Sequence, residues 1–176
     1  MRATHRGRIL LVDDDDVVRR ALGSGLSAHH AVVEAPSLPQ ALEILETSER
    51  PFDAVIIDPD FPEGPLRDRA AVLHLTNHSP DLAVIVTTRR RETGAVEGFM
   101  LAGAADYVEK NEDGLATLLF RLGHHLERVR LRRENAGLTA QMERLFMDAS
   151  CRNGPPSRAP DPPSTGAGPQ GIARRG

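Results

Sequence analysis

Two short runs, residues 52–57 (FDAVII) and 82–87 (LAVIVT), constrain this chain more than any other feature. Each is nearly continuously apolar and rich in β-branched residues, without the polar alternation of a half-exposed strand. Such runs suit central strands of a parallel sheet, covered by helices on both faces. Three further runs read as strands: residues 8–12 (RILLV), 30–35 (HAVVEA) and 105–109 (ADYVE). Amphipathic segments separate them. Val18, Leu22 and Leu26 recur every fourth residue. Leu38, Ala41, Leu42 and Leu45 follow helical spacing, as do Val96, Phe99, Met100 and Gly103. Ser37 with Gln40 three residues on opens the second helix as a capping box, and the third helix spans roughly 66–77. Strand–helix alternation of this kind predicts an α/β fold, an open five-stranded parallel sheet with helices on both sides.

The fifth helix outruns the domain. Leu115, Leu119, Leu122, Leu126 and Val129 make one stripe; Leu131, Asn135, Leu138, Met142 and Leu145 make a second, spaced 4-3-4-3. The step from Val129 to Leu131 breaks the heptad, so the second stripe turns away from the first. Two readings fit it: a seam that meets a partner helix, on which Asn135 favours two strands, or a frayed amphipathic extension. Gly137 costs it about 1 kcal/mol of helix propensity. From Arg152 on, 11 of 25 residues are Pro or Gly with little apolar content, which predicts a disordered tail. The expected organisation is a sheet domain over 1–126, a helical or coiled-coil extension over 127–150 and a tail over 151–176.

Charge and cysteine content exclude several classes. Residues 1–111 carry 12 basic and 18 acidic side chains, net −6, so the sheet domain has no nucleic-acid footprint. The basic stretch RVRLRREN at 128–135 interleaves Arg with apolar and acidic residues and contains no aromatic. A solvated helix face accounts for it, and no nucleic-acid partner is expected. One cysteine, Cys151, excludes an internal disulfide and a cysteine zinc site. No run approaches the roughly 20 apolar residues of a membrane span, so a cytoplasmic protein without a membrane partner is expected.

Ligands of open parallel sheets bind outside the carboxyl ends of the strands. The polar residues there are Asp13 to Asp16, Asp58, Asp60, Thr87, Thr88 and Lys110, the only lysine among 22 basic residues. Acids converging from adjacent strands repel unless a cation joins them, and a hard divalent ion such as Mg²⁺ takes one or two carboxylates plus phosphate oxygens. A carboxylate can also accept a phosphoryl group as nucleophile. Lys110 suits one phosphoryl oxygen as a point charge, and Thr87 offers a hydroxyl. Asp15 and Asp16 instead suit the start of the first helix.

Over about residues 6–130 the chain resembles the receiver domain of two-component response regulators, whose fold is flavodoxin-like. ILLVDDD resembles the family's first strand and acidic pair, which implies Mg²⁺ ligation by Asp13 and Asp14. FDAVIIDPDFP resembles the phosphoacceptor strand: the resemblance implies Asp58 as the phosphorylated residue and a metal ligand, Pro62 at the usual offset, and Asp60 giving its carbonyl to the metal. AVIVTT places Thr87 as the switch hydroxyl; AGAADYVEK places Tyr107 as the rotating aromatic and Lys110 as the phosphate-binding lysine. Asp58, Thr87 and Lys110 would then carry the self-phosphorylation and self-dephosphorylation chemistry, with no further enzyme activity. The implied donor is a sensor histidine kinase or phosphotransfer protein. Output is expected through contact with a downstream protein or a homodimer through residues 131–146, rather than a DNA-binding domain.

Four positions depart from the family pattern. Asn111 replaces the usual proline, Gly64 sits nearer the acceptor than the usual glycine, Pro59 follows Asp58, and Thr88 replaces a small residue. Two other readings compete. One is a degenerate receiver that is never phosphorylated and acts as a constitutive binding module. The other is a haloacid-dehalogenase-type phosphatase built on Asp58-x-Asp60, although the Gly-Thr or Gly-Val that normally follows in such enzymes is absent.

Overall fold

The computed structural model describes residues 6–61, 69–79, 81–89, 93–111 and 113–152. Pro62, Gly64 and the expected tail beyond Arg152 lie outside these residues. Five strands, β1 (Arg8–Val12), β2 (Ala31–Ala35), β3 (Ala54–Ile57), β4 (Ala83–Thr88) and β5 (Asp106–Glu109), alternate with five helices. The helices are α1 (Asp16–Ser27), α2 (Leu38–Thr47), α3 (Arg69–His78), α4 (Thr93–Leu101) and α5 (Gly114–Arg152). The chain divides into two compact units, Met1–Leu138 and Thr139–Gly176. In the first, the strands form one parallel sheet in the order β2-β1-β3-β4-β5. The second contains the C-terminal part of α5.

Residue alternation divides the core in two. Leu10, Val12, Val55, Ile57, Val84 and Val86 face α2, α3 and α4. Ile9, Leu11, Ala54, Ile56, Ala83 and Ile85 face α1 and α5. Every residue of β3 and β4 is buried, which is why their sequence lacks polar alternation.

Local chemistry sets the helix ends. Ser37 Oγ accepts from the Gln40 amide at 3.4 Å, with Leu38 and Ala41 buried behind it. Gly103 lies past the end of α4 rather than on its apolar stripe. Its φ is +94°, and its amide donates to the Met100 carbonyl at 3.0 Å while Ala104 donates to Phe99 at 3.1 Å. This is a Schellman stop, whose left-handed position favours glycine. Met100 is correspondingly exposed, and Phe99 anchors the helix.

In α5 the buried face is Leu118, Leu122, Leu126 and Val129. Leu118, outside the expected stripe, is buried, while Leu115 and Leu119 of that stripe are half-buried. The face continues to Arg133, whose guanidinium holds the Asp53 carboxylate at 2.5 Å and the Phe52 carbonyl at 2.8 Å, just before β3. Among the described residues no helix is long and apolar enough to cross a membrane.

Candidate phosphoacceptor site

The strand order reverses direction between β1 and β3, and a ligand crevice forms at such a switch point. Val12 pairs with Ile57 in the register of these strands, so the next residues, Asp13 and Asp58, emerge side by side at the carboxyl edge. The Asp58 amide donates to the Val12 carbonyl at 2.9 Å, and the Asp13 amide to Ala35 at 3.2 Å. On β5, the Lys110 amide bonds the Thr88 carbonyl at 2.9 Å. The ladder thus carries all three candidate side chains one step past the hydrophobic core.

Lys110 Nζ lies 2.6 Å from Asp13 Oδ2 and also contacts Asp58 Oδ2. The Asp13 side chain is fully buried, those of Lys110 and Asp58 nearly so. Burial pushes the Asp13 carboxyl up, and Lys110 only partly offsets that effect. A buried carboxylate in this position attracts positive charge. The other Asp58 oxygen accepts from the Asp60 amide at 3.0 Å, so Pro59, with no amide of its own, leaves this bond intact.

The adjacent acids separate by role. Asp14 is exposed. Asp15 caps α1, accepting from the amides of Val17 at 2.9 Å and Val18 at 3.1 Å. The Val18 amide is the main influence holding its carboxyl below the ordinary value. Asp16 is the first residue of α1 and pairs with Arg19, while Arg19 also donates to the Asp13 carbonyl at 2.7 Å.

Thr87 is buried at the end of β4, and its Oγ has no hydrogen-bond partner among the described residues. It shares with Lys110 and Asn111 the rim of a cleft of about 300 Å³, floored by Val18, Leu22 and Leu115. Thr88, also buried, donates to Asp60 Oδ2 at 3.1 Å. Tyr107 is half-buried against the α2–α4 core. At Asn111 the amide donates to the Glu109 carbonyl at 3.0 Å, a bond that proline could not make, and its carbonyl accepts from Gly114.

Lys110 therefore contacts both Asp13 and Asp58, and Thr87 lines the same edge. The carboxylates of Asp13, Asp14, Asp58 and Asp60 are not gathered equally. Among the described residues no three His, Cys, Asp or Glu side chains stand close enough to hold a metal ion together. The donor set still suits Mg²⁺, which needs hard oxygens and only one or two carboxylates, the remainder being water and phosphate.

Sequence reasoning did not find His125, buried on α5 with Nε2 3.0 Å from Asp106 Oδ2. Burial pushes Asp106 up, but His125, the Tyr107 amide and Arg121 together hold its carboxyl below the ordinary value. The polar ends of parallel strands carried the sequence reading, and Asp106 starts its strand at the other end.

The sheet is doubly wound, and at its switch point one nearly buried lysine contacts two carboxylates, the arrangement of an open α/β domain with a polar carboxyl edge. Residues 9–119 match the family model of the response regulator receiver domain, and the chain belongs to that family. Over 144 residues it is 35% identical to the response regulator MprA of Mycobacterium ulcerans, with 81% of this chain and 59% of that protein covered. MprA of Mycolicibacterium vanbaalenii is 36% identical over 148 residues, with the same coverage. The chain thus spans about three-fifths of these relatives. Among solved structures, the signal receiver domain of an HD domain-containing protein from Pseudomonas fluorescens superimposes with a TM-score of 0.66 at 26% identity, covering 76% of this chain and 96% of that one. A putative response regulator from Chloroflexus aurantiacus gives 0.61 at 27%, covering 69% and 98%.

Proposed function

We propose that this receiver is a phosphorylation switch whose acceptor is Asp58, fed by a phosphohistidine on a sensor kinase or phosphotransfer protein. The observation that carries the reading is the contact of one buried lysine, Lys110, with both Asp13 and Asp58. In the transfer, an Asp58 oxygen forms the new P–O bond while the P–N bond to the donor histidine breaks, and that imidazole leaves with the electron pair. Mg²⁺, held by Asp13, Asp14, Asp58 and the Asp60 carbonyl, would neutralise charge on the phosphoryl oxygens.

The chain's own groups do the rest. Lys110, already beside Asp58, is placed to follow the new charge. Thr87 Oγ, buried with no partner among the described residues, has a hydrogen bond to offer a phosphoryl oxygen. Inward movement of Thr87 opens room for half-buried Tyr107, altering the face of α4, β5 and α5. The signal then leaves by protein contact, to a downstream protein or a second copy, in the cytoplasm. The proposed division is a receiver over 1–126, a helical extension over 127–150 and a tail over 151–176.

The test is incubation of the full chain with Mg²⁺ and acetyl phosphate, followed by intact-mass spectrometry. A phosphoryl adduct is expected in the native protein and absent in Asp58→Asn. No adduct, together with no Mg²⁺ binding, would favour a constitutive binding module.

A further inference from the structure

Within the first unit, α5 presents two opposed faces. Leu118, Leu122, Leu126 and Val129 pack on the sheet, and Arg133 extends that face by gripping Asp53 and the Phe52 carbonyl. At ~100° per residue, Leu131 and Leu138 lie roughly 140–160° around the helix from Arg133. Asn135 lies on their side. Leu131 is 44% exposed and Leu138 59%, and Asn135 is exposed. Arg133 therefore keeps this apolar face turned away from its own receiver.

We infer that the occupant of this face is a second copy of the chain, aligned parallel and in register. The inference deepens the contact-borne output proposed above by naming the partner of α5, and it does not depend on phosphorylation. The 4-3 spacing places Leu131 and Leu138 at d positions and Asn135 at an a position; in the sequence it continues with Met142 at a and Leu145 at d. A single asparagine at an a position above leucines at d specifies register and oligomer state, because in a parallel pair the two asparagines face each other.

Charge points the same way. In a parallel pair, the g residue of one helix meets the e residue of the next heptad on its partner. Glu127, at g and bonded within its own helix to Arg130 at 3.1 Å, would also face Arg132 at e of the second copy, twice by symmetry. Arg128 would occupy the preceding a position, so the apolar seam starts at Leu131. The helix needs no separate nucleation, since its first part is already packed on the sheet.

The test uses the full chain, with Cys151→Ser as the background for added cysteines. Sedimentation equilibrium at tens of micromolar is expected to give twice the chain mass. Leu138→Asp should return the mass to that of one chain while preserving the circular dichroism and acetyl phosphate adduct of the native protein, because Leu138 is exposed in the single chain. Leu131→Cys should form an interchain disulfide with itself on mild oxidation. A single-chain mass throughout, or a dimer that survives Leu138→Asp, overturns the inference. Crosslinking of Leu131→Cys only when mixed with Leu145→Cys overturns the parallel arrangement. Loss of the adduct in the native chain, with the dimer intact, would count against the phosphoacceptor reading alone.

Discussion

Thr88 Oγ donates to the Asp60 carboxylate at 3.1 Å, joining the end of β4 to the segment that follows the proposed acceptor. Thr88 is fully buried. The bond fixes a carboxylate two residues past Asp58 and fills space that a smaller residue would leave to water. If this pair limits hydrolysis of a phosphoryl group on Asp58, Thr88→Ala should shorten its lifetime several-fold. A tenfold change corresponds to about 1.4 kcal/mol in the barrier. The measurement is decay of the labelled phosphoprotein in excess Mg²⁺, and an unchanged rate would sink the idea.

Asp13 gives a stability prediction with a definite sign. Burial raises its folded-state pKa above the ordinary 3.8. The favourable contribution of such a group is complete below 3.8 and is lost as pH rises through its raised folded value. Above that folded value the native protein carries a desolvated charge that Asn would not. Asp13→Asn should melt at a higher temperature than the native chain at pH ~7, and the difference should shrink on acidification. The same substitution should reduce any stabilisation by Mg²⁺, which by linkage reaches about 2.7 kcal/mol at a hundredfold excess over the dissociation constant. Melting curves with and without Mg²⁺ check both parts.

Asp106 has the opposite sign. Burial alone would raise it, but His125, the Tyr107 amide and Arg121 hold it below 3.8. Its contribution is present above 3.8 and is lost as pH falls through the lower folded value. Asp106→Asn should therefore lower the melting temperature near neutrality and make little difference in strong acid. A deficit that stays constant down to pH ~3 would mean that lost packing, not the carboxylate, is responsible.

These two acids also mark what the sequence made legible. The parallel α/β architecture followed from the apolar runs of β3 and β4, because full burial removes polar alternation. The edge position of Asp13, Asp58 and Lys110 followed from where those runs stop. By contrast, Asp106 with His125 and Asp53 with Arg133 join residues distant in sequence at the starts of strands, where no run of apolar residues ends in a polar one. Helical period also left the turn of α5 unresolved by one position: Leu118 and Leu119 both fit an apolar face, and packing on the sheet buried Leu118. At Gly103, spacing matched the helix stripe, but a φ of +94° made the residue a stop.

The Arg133 contact provides the last test. Its guanidinium holds two acceptors before β3, and Asp53 Oδ2 also accepts from the Arg8 amide at 2.7 Å. Hydrogen bonds to charged groups contribute about 1.5–3 kcal/mol when buried, but Arg133 is one-third exposed, so water screens part of this. Arg133→Ala should cost about 1–2 kcal/mol, or roughly 2–8 °C in melting temperature for a two-state unfolding. Because the contact lies at the end of the sheet opposite Asp58, phosphoryl uptake from acetyl phosphate should survive Arg133→Ala. Hydrogen exchange should rise in α5 from Val129 onward, where the helix loses its last tie to the sheet domain. Unchanged exchange there, alongside an unchanged melting temperature, would show that packing through Val129 holds the helix without Arg133.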